Sequence, residues 1–121
     1  MEYLRKVDFA AFDATNERLS QKLLDRASGA TTVGINCVKT PPGGGSPPGL
    51  HTHEADQIFY ILKGTMSVEI DAKKYEAPAG TLIVFPKGVP HKNWNGSNEP
   101  TVYLIINTAL PEPDKPFATP V

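Results

Sequence analysis

The sequence predicts an all-β domain, on two observations. Twelve prolines and ten glycines are many for 121 residues, and they fall in clusters that separate short β-branched or aromatic runs. Several of those runs alternate: Met66, Val68 and Ile70 fall on one face, Thr65, Ser67 and Glu69 on the other, so one face is buried and the other wetter.

The predicted strands are 31 to 40, 51 to 62, 65 to 71, 81 to 85, 91 to 95 and 101 to 107. Ahead of them, 18 to 25 is ambiguous, because Leu19 and Leu23 are four apart, as on a helix, yet of equal parity, as on a strand. The Ser28-Gly29 turn signal and the strand that follows favour a hairpin, preceded by a short helix around Asp13 to Glu17. The stretch PPGGGSPPG at 41 to 49 cannot donate a regular ladder of hydrogen bonds and is a loop. Lys63, Lys73 and Lys74 read as solvated turn residues. The tail PEPDKPFATPV, 111 to 121, is either extended along the body or frayed.

The length fits one domain, 1 to 121, with no internal repeat. A formal charge of −1, from 12 basic and 13 acidic residues, leaves no electrostatic footprint for a phosphate backbone, so nucleic acid is not expected as a partner. No apolar run approaches the roughly 20 residues needed to span a bilayer, and MEYLRKVDFAAF lacks a signal-peptide core; no membrane partner is expected, and the location is read as cytoplasmic. The single Cys37 excludes an intramolecular disulfide and reads as a small buried hydrophobe.

The chain has three histidines, and two form His51-Thr52-His53. Residues two apart on a strand project from one face, so both imidazoles point into the same space. On a regular strand the inward row is His51, His53, Ala55, Gln57, Phe59 and Ile61, a polar patch followed by an apolar floor of Phe59 and Ile61. His91 lies 38 residues beyond His53, after the turn-forming Phe85-Pro86-Lys87-Gly88-Val89-Pro90. Imidazoles suit zinc, copper, iron and nickel, an amide oxygen is a serviceable harder ligand, and zinc, iron, nickel or manganese is the expected ion. The metal set is therefore His51, His53, Gln57 and His91, for one divalent transition metal per chain.

In this arrangement the chain resembles the small single-domain cupins of the RmlC-like superfamily. Gly45, His51, His53, Gln57 and Gly64 fill the places of the first cupin motif, over 45 to 64. Gly80, Pro86, Gly88, His91 and Asn95 match the fixed positions of the second, over 80 to 95, and 15 residues lie between the two. The resemblance implies a double-stranded β-helix, or jelly-roll, barrel with at most a short N-terminal helical turn. It also implies that the motif glycines and Pro86 shape turns and that Asn95 steadies a loop. The departure is Gln57, where the family usually carries a metal-binding glutamate. Either Gln57 takes that role, or Glu54 or Asp56 replaces it, or the site has lost its metal.

A neutral Gln57 leaves a bound divalent ion with its full positive charge, which holds anions tightly and polarises bound oxygen. Lewis-acid chemistry of isomerase, cyclase or lyase type on a small oxygen-rich or anionic metabolite is therefore placed first. A dioxygenase using Fe or Ni and a non-catalytic ligand-binding or sensor role are the alternatives. Tyr60, Tyr103 and Glu69 are the candidate catalytic groups, with no fourth histidine available as a base. Tyr60 and Leu62, opposite in parity to the pocket row, predict a homodimer that covers them, and Trp94 reads as core or interface.

Overall fold

Alternation along the chain produces two facing sheets. The computed structural model describes residues 1–45, 49–112 and 114–121. Its elements are α1 (Phe9–Asp13), β1 (Leu19–Leu24), β2 (Gly34–Thr40), β3 (His51–Thr52), β4 (Gln57–Lys63), β5 (Thr65–Ile70), β6 (Lys73–Pro78), β7 (Leu82–Phe85), β8 (His91–Trp94), β9 (Thr101–Asn107) and β10 (Thr119–Pro120). One antiparallel sheet runs β1-β2-β9-β4-β7, the other β10-β3-β8-β5-β6. The fold is all-β with one short helix, as a jelly roll requires. No described helix is long and apolar enough to cross a membrane.

Between the sheets lie Val38, Phe59, Ile61, Met66, Val68, Ala77, Ile83, Phe85 and Tyr103. The inward residues of β4 and β5 are those that alternate in the sequence, and their removal from water is the main stabilising term. A second cluster, Phe12, Cys37 and Val102 with Val7, Leu19, Leu23 and Leu104 around it, covers the outer face of β1, β2 and β9 with the N-terminal segment. Cys37 is fully buried there and burial pushes its thiol pKa up, so it is an inert hydrophobe.

Three expectations are corrected. The helix is Phe9–Asp13, a turn earlier than 13 to 17, because Asp8 accepts the Ala11 N–H at 3.2 Å as N-cap and Phe12 is the residue it buries. The strand 51 to 62 is two strands: β3 lies in one sheet and β4 in the other, and Ala55 sits in the turn between them. That turn is pinned, since Asp56 accepts the Lys87 N–H at 2.8 Å and the His53 carbonyl accepts the Gly88 N–H at 2.9 Å. Lys73 and Lys74 belong to β6, and the turn before them is Asp71-Ala72, with φ of 51° and 65°, the left-handed pair of a two-residue hairpin. Of the two alternatives for the tail, the extended one holds at 119–120, where Thr119 and Pro120 pair with Thr52 and His51.

The hairpin over 18 to 40 forms as expected, with Leu19 opposite Lys39 and Leu24 opposite Ile35. Buried Lys39 donates from Nζ to the carbonyls of Phe12 and Thr15, tying the segment before β1 to the sheet. In the loop expected over 41 to 49, Gly43 and Gly44 bond to the backbone of Asn95; Ser46, Pro47 and Pro48 lie outside the described residues.

Candidate metal centre

The three histidines arrive from two adjacent strands of one sheet. His51 on β3 lies directly opposite His91 on β8, and His53 follows immediately after β3. Their ring centroids are 4.3 to 5.0 Å apart, and one nitrogen from each lies within 4.8 Å of the other two. His53 and His91 are buried, His51 half-buried. Three imidazoles at this separation are placed to hold one metal ion.

Hydrogen bonds decide which nitrogens are available. His53 Nδ1 lies 2.9 Å from the Phe117 carbonyl oxygen and His91 Nδ1 lies 3.1 Å from that of Val89. A carbonyl only accepts, so each Nδ1 carries the hydrogen, and each neutral ring keeps its lone pair on Nε2. Those two Nε2 atoms are the buried side-chain polar atoms left without a hydrogen-bond partner among the described residues. Two buried lone pairs that face one another and no donor are costly in an apolar interior, unless an electrophile takes them up. The donor set therefore fits a divalent metal.

The electrostatics favour the neutral rings of His51 and His91, the form that a ligand must take. Burial pushes the His91 pKa down to about 4, the Val89 carbonyl opposes this, and His51 and His53 reinforce it. His51 is lowered by burial and by His53. The Phe85 ring lies against His91 at 4.4 Å, and Phe59 meets Phe85 edge-on at 4.8 Å and Tyr103 at a tilt at 4.9 Å.

A cavity of about 890 Å³ opens beside the histidines, with His51, His53, Gln57, Phe59, Tyr103 and Arg18 on its walls. Gln57 is buried and donates from Nε2 to Asn107 Oδ1 at 2.9 Å, which leaves its oxygen for the cavity. Phe59 lines the space, whereas Ile61 is in the core beneath it. Glu54 and Asp56 are exposed, and neither is on the cavity wall. Of the candidate catalytic groups only Tyr103 faces the cavity. Its hydroxyl is 2.8 Å from Thr40 Oγ1, and burial raises its pKa while Thr40 and the Arg18 guanidinium work the other way. Tyr60 is on the outer face of β4, and Glu69 pairs with Lys74 and Lys92 on β6 and β8.

The remaining motif residues build the frame. Gly64, Gly80 and Gly88 have φ of 79°, 87° and 75°, where a side chain is strained. A Cβ on Gly45 would meet Asn93 O at 2.4 Å. Pro86 opens the turn that ends at His91, with Val89 N–H bonded to its carbonyl at 3.2 Å. Asn95 is buried, donates to the Thr40 and Glu99 carbonyls, and accepts from Ser97. Trp94 is half-buried, with Lys92 Nζ 5.5 Å from its ring centre.

Residues 36–107 match the family model described as "Cupin domain". The chain belongs to the cupin family. This cupin is 34% identical over 98 residues to germin-like protein 5-1 of Oryza sativa subsp. japonica, covering 73% of the chain and 43% of that protein. It spans about half the length of the curated relatives it matches. Among solved structures it is similar to the polyketide cyclase RemF from Streptomyces resistomycificus, with a TM-score of 0.72 and 25% identity over 87% of this chain and 71% of that one. It is also similar to an oxalate oxidase in complex with the substrate analogue glycolate, with a TM-score of 0.62 and 25% identity over 78% and 52%.

Sequence reasoning missed several contributors to this cupin's cavity, among them Arg18, Ile105 and the tail residues Ala118 and Pro120. Arg18 carries no signal, since its place depends on a hairpin and a helix packing together. The tail has one: Phe117 is a lone aromatic in a proline-rich, charged segment, which a frayed end has no need of.

Proposed function

We propose that this cupin holds one divalent transition metal through His51, His53 and His91 Nε2 and the Gln57 oxygen, and uses it as a Lewis acid on a small anionic, oxygen-rich metabolite, in isomerase, cyclase or lyase chemistry. The observation that carries this reading is the pair of buried, unpartnered Nε2 atoms converging with His51. When bound, the metal supplies positive charge that polarises an oxygen of the ligand.

The anionic character of the ligand follows from the walls. Among the described residues no acidic side chain lines the cavity, and Arg18 stands on its wall beside Tyr103 without a carboxylate partner. A guanidinium so placed takes a carboxylate and orients it. Phe59 and Ile105 supply an apolar wall. Tyr103, held neutral by burial, keeps a proton on Oη at the cavity and is the candidate to donate it to a substrate oxygen. The similarity to a polyketide cyclase supports the cyclase class, and that to an oxalate oxidase supports a second reading, oxygen chemistry with Fe or Ni on a small carboxylate.

The test is malonate binding to metal-loaded wild type, Arg18→Gln and Gln57→Glu, with metal content measured for each. Arg18→Gln is expected to weaken malonate about 10- to 100-fold, the range of one charge-assisted contact. Gln57→Glu is expected to keep or tighten the metal and weaken malonate. Equal malonate affinity for wild type and Gln57→Glu at full metal occupancy contradicts the charge argument that ranks Lewis-acid chemistry first.

A further inference from the structure

Residues 117–121 lie outside the family match at 36–107, yet they reach the centre of the site. Thr119 and Pro120 add a strand to the edge of β3, and the Val121 N–H donates to the Leu50 carbonyl at 3.1 Å. Proline is compatible with that edge position, since one side of an edge strand has no partner. Ala118 and Pro120 then form part of the cavity wall.

Phe117 acts on His53 twice. Its ring packs against the imidazole, centroids 4.7 Å apart and planes at 41°, and its carbonyl oxygen takes the Nδ1 hydrogen at 2.9 Å. The first contact limits rotation of the imidazole; the second places the lone pair on Nε2. His91 has the same second bond from Val89, two residues away in its own turn. The bond to His53 comes instead from 64 residues further along the chain, on a short segment held by a two-residue pairing and the Val121–Leu50 bond. Such a segment opens locally at little cost.

The geometry points to Phe117 as a positioning residue for His53, on a C-terminal strap (117–121) whose docking on β3 is coupled to metal binding. The inference rests on the metal reading above. Outer partners that fix the free nitrogen of a ligating histidine typically contribute about 10- to 100-fold in metal affinity. Linkage is reciprocal, so the metal holds the strap down by the same factor that the strap tightens the metal.

Zn²⁺ alone serves as the probe. Its affinity is measured by competition titration for wild type, Phe117→Ala, Phe117→Tyr and a chain ending at Pro116. Hydrogen exchange at the Ala118, Thr119 and Val121 amides is followed in wild type with and without Zn²⁺. The shortened chain is expected to bind Zn²⁺ about 10- to 100-fold more weakly, Phe117→Ala to fall between, and Phe117→Tyr to bind like wild type. Zn²⁺ is expected to slow strap exchange by the same factor, and the visible bands of the Co²⁺-loaded shortened chain to differ from those of wild type. Should a variant fail to fold, exchange in wild type decides alone. Wild type that takes up Zn²⁺ with strap exchange unchanged, or a folded shortened chain that binds as tightly as wild type, overturns the strap and leaves the metal reading standing. Wild type that takes up no Zn²⁺ overturns both.

Discussion

His91 carries the clearest electrostatic signature of the site, and its consequence can be measured without metal. Its folded-state pKa, about 4, lies below the ordinary histidine value of 6.5 because burial disfavours the imidazolium. In the unfolded chain the same residue takes up a proton near pH 6.5, so between 6.5 and about 4 the unfolded state binds more protons than the folded one. Stability is then fully present above 6.5 and is lost as pH falls through that window, and His51, shifted the same way, adds to the loss. Urea unfolding of chelator-treated protein is expected to show a fall on the order of 2–3 kcal/mol from pH 7 to pH 4 that His91→Gln lacks. Equal pH slopes for the two proteins contradict it. At this scale the sequence was informative where chemistry depends on spacing. His51, His53 and His91 are the chain's histidines and stand at motif positions, and the left-handed turns at Gly64, Gly80 and Gly88 favour glycine. Arg18 was illegible, since nothing in Glu17-Arg18-Leu19 tells which cavity a later fold brings alongside.

Alternation located the core faces of β4 and β5, and the break between β3 and β4 was invisible to it for a specific reason. The turn at 54–56 returns the chain with unchanged parity, so Gln57, Phe59 and Ile61 point inward as an unbroken strand would have them. β6 was missed because Ala77 is its one buried residue, and its hairpin turn, Asp71-Ala72, contains no glycine. The same sheet that carries Gln57 has an uneven outer face. Val7 and Phe12 cover it over β1, β2 and β9, whereas Tyr60, Leu62, Leu82 and Val84 on β4 and β7 are 37 to 56% exposed. An apolar patch of that kind on an antiparallel sheet asks for a cover. We propose a second copy of the chain as that cover. Light scattering at micromolar concentration is expected to give twice the single-chain mass, and Leu82→Asp with Val84→Lys to return a monomer. A monomeric mass for wild type contradicts the proposal.

For the molecule as a whole, the two sheets do different work. The sheet β1-β2-β9-β4-β7 contributes Gln57, its partner Asn107 and the aromatic floor, while the other contributes the three histidines. Arg18 before β1 and Ala118 and Pro120 after β9 complete the cavity wall around a frame whose motif positions follow from the resemblance to the cupin family. We propose that this frame holds a metal. Metal binding is tested most directly by titrating chelator-stripped wild type, His91→Ala, His53→Ala and Gln57→Ala with Zn²⁺, Fe²⁺, Ni²⁺ and Mn²⁺, alongside elemental analysis of protein purified without added metal. The expected result is one ion per chain in wild type, binding abolished or weakened by orders of magnitude in both histidine variants, and a smaller loss in Gln57→Ala, because an amide oxygen is a poorer donor than imidazole. Wild type that binds no stoichiometric metal, or His91→Ala that binds it as tightly as wild type, contradicts the account.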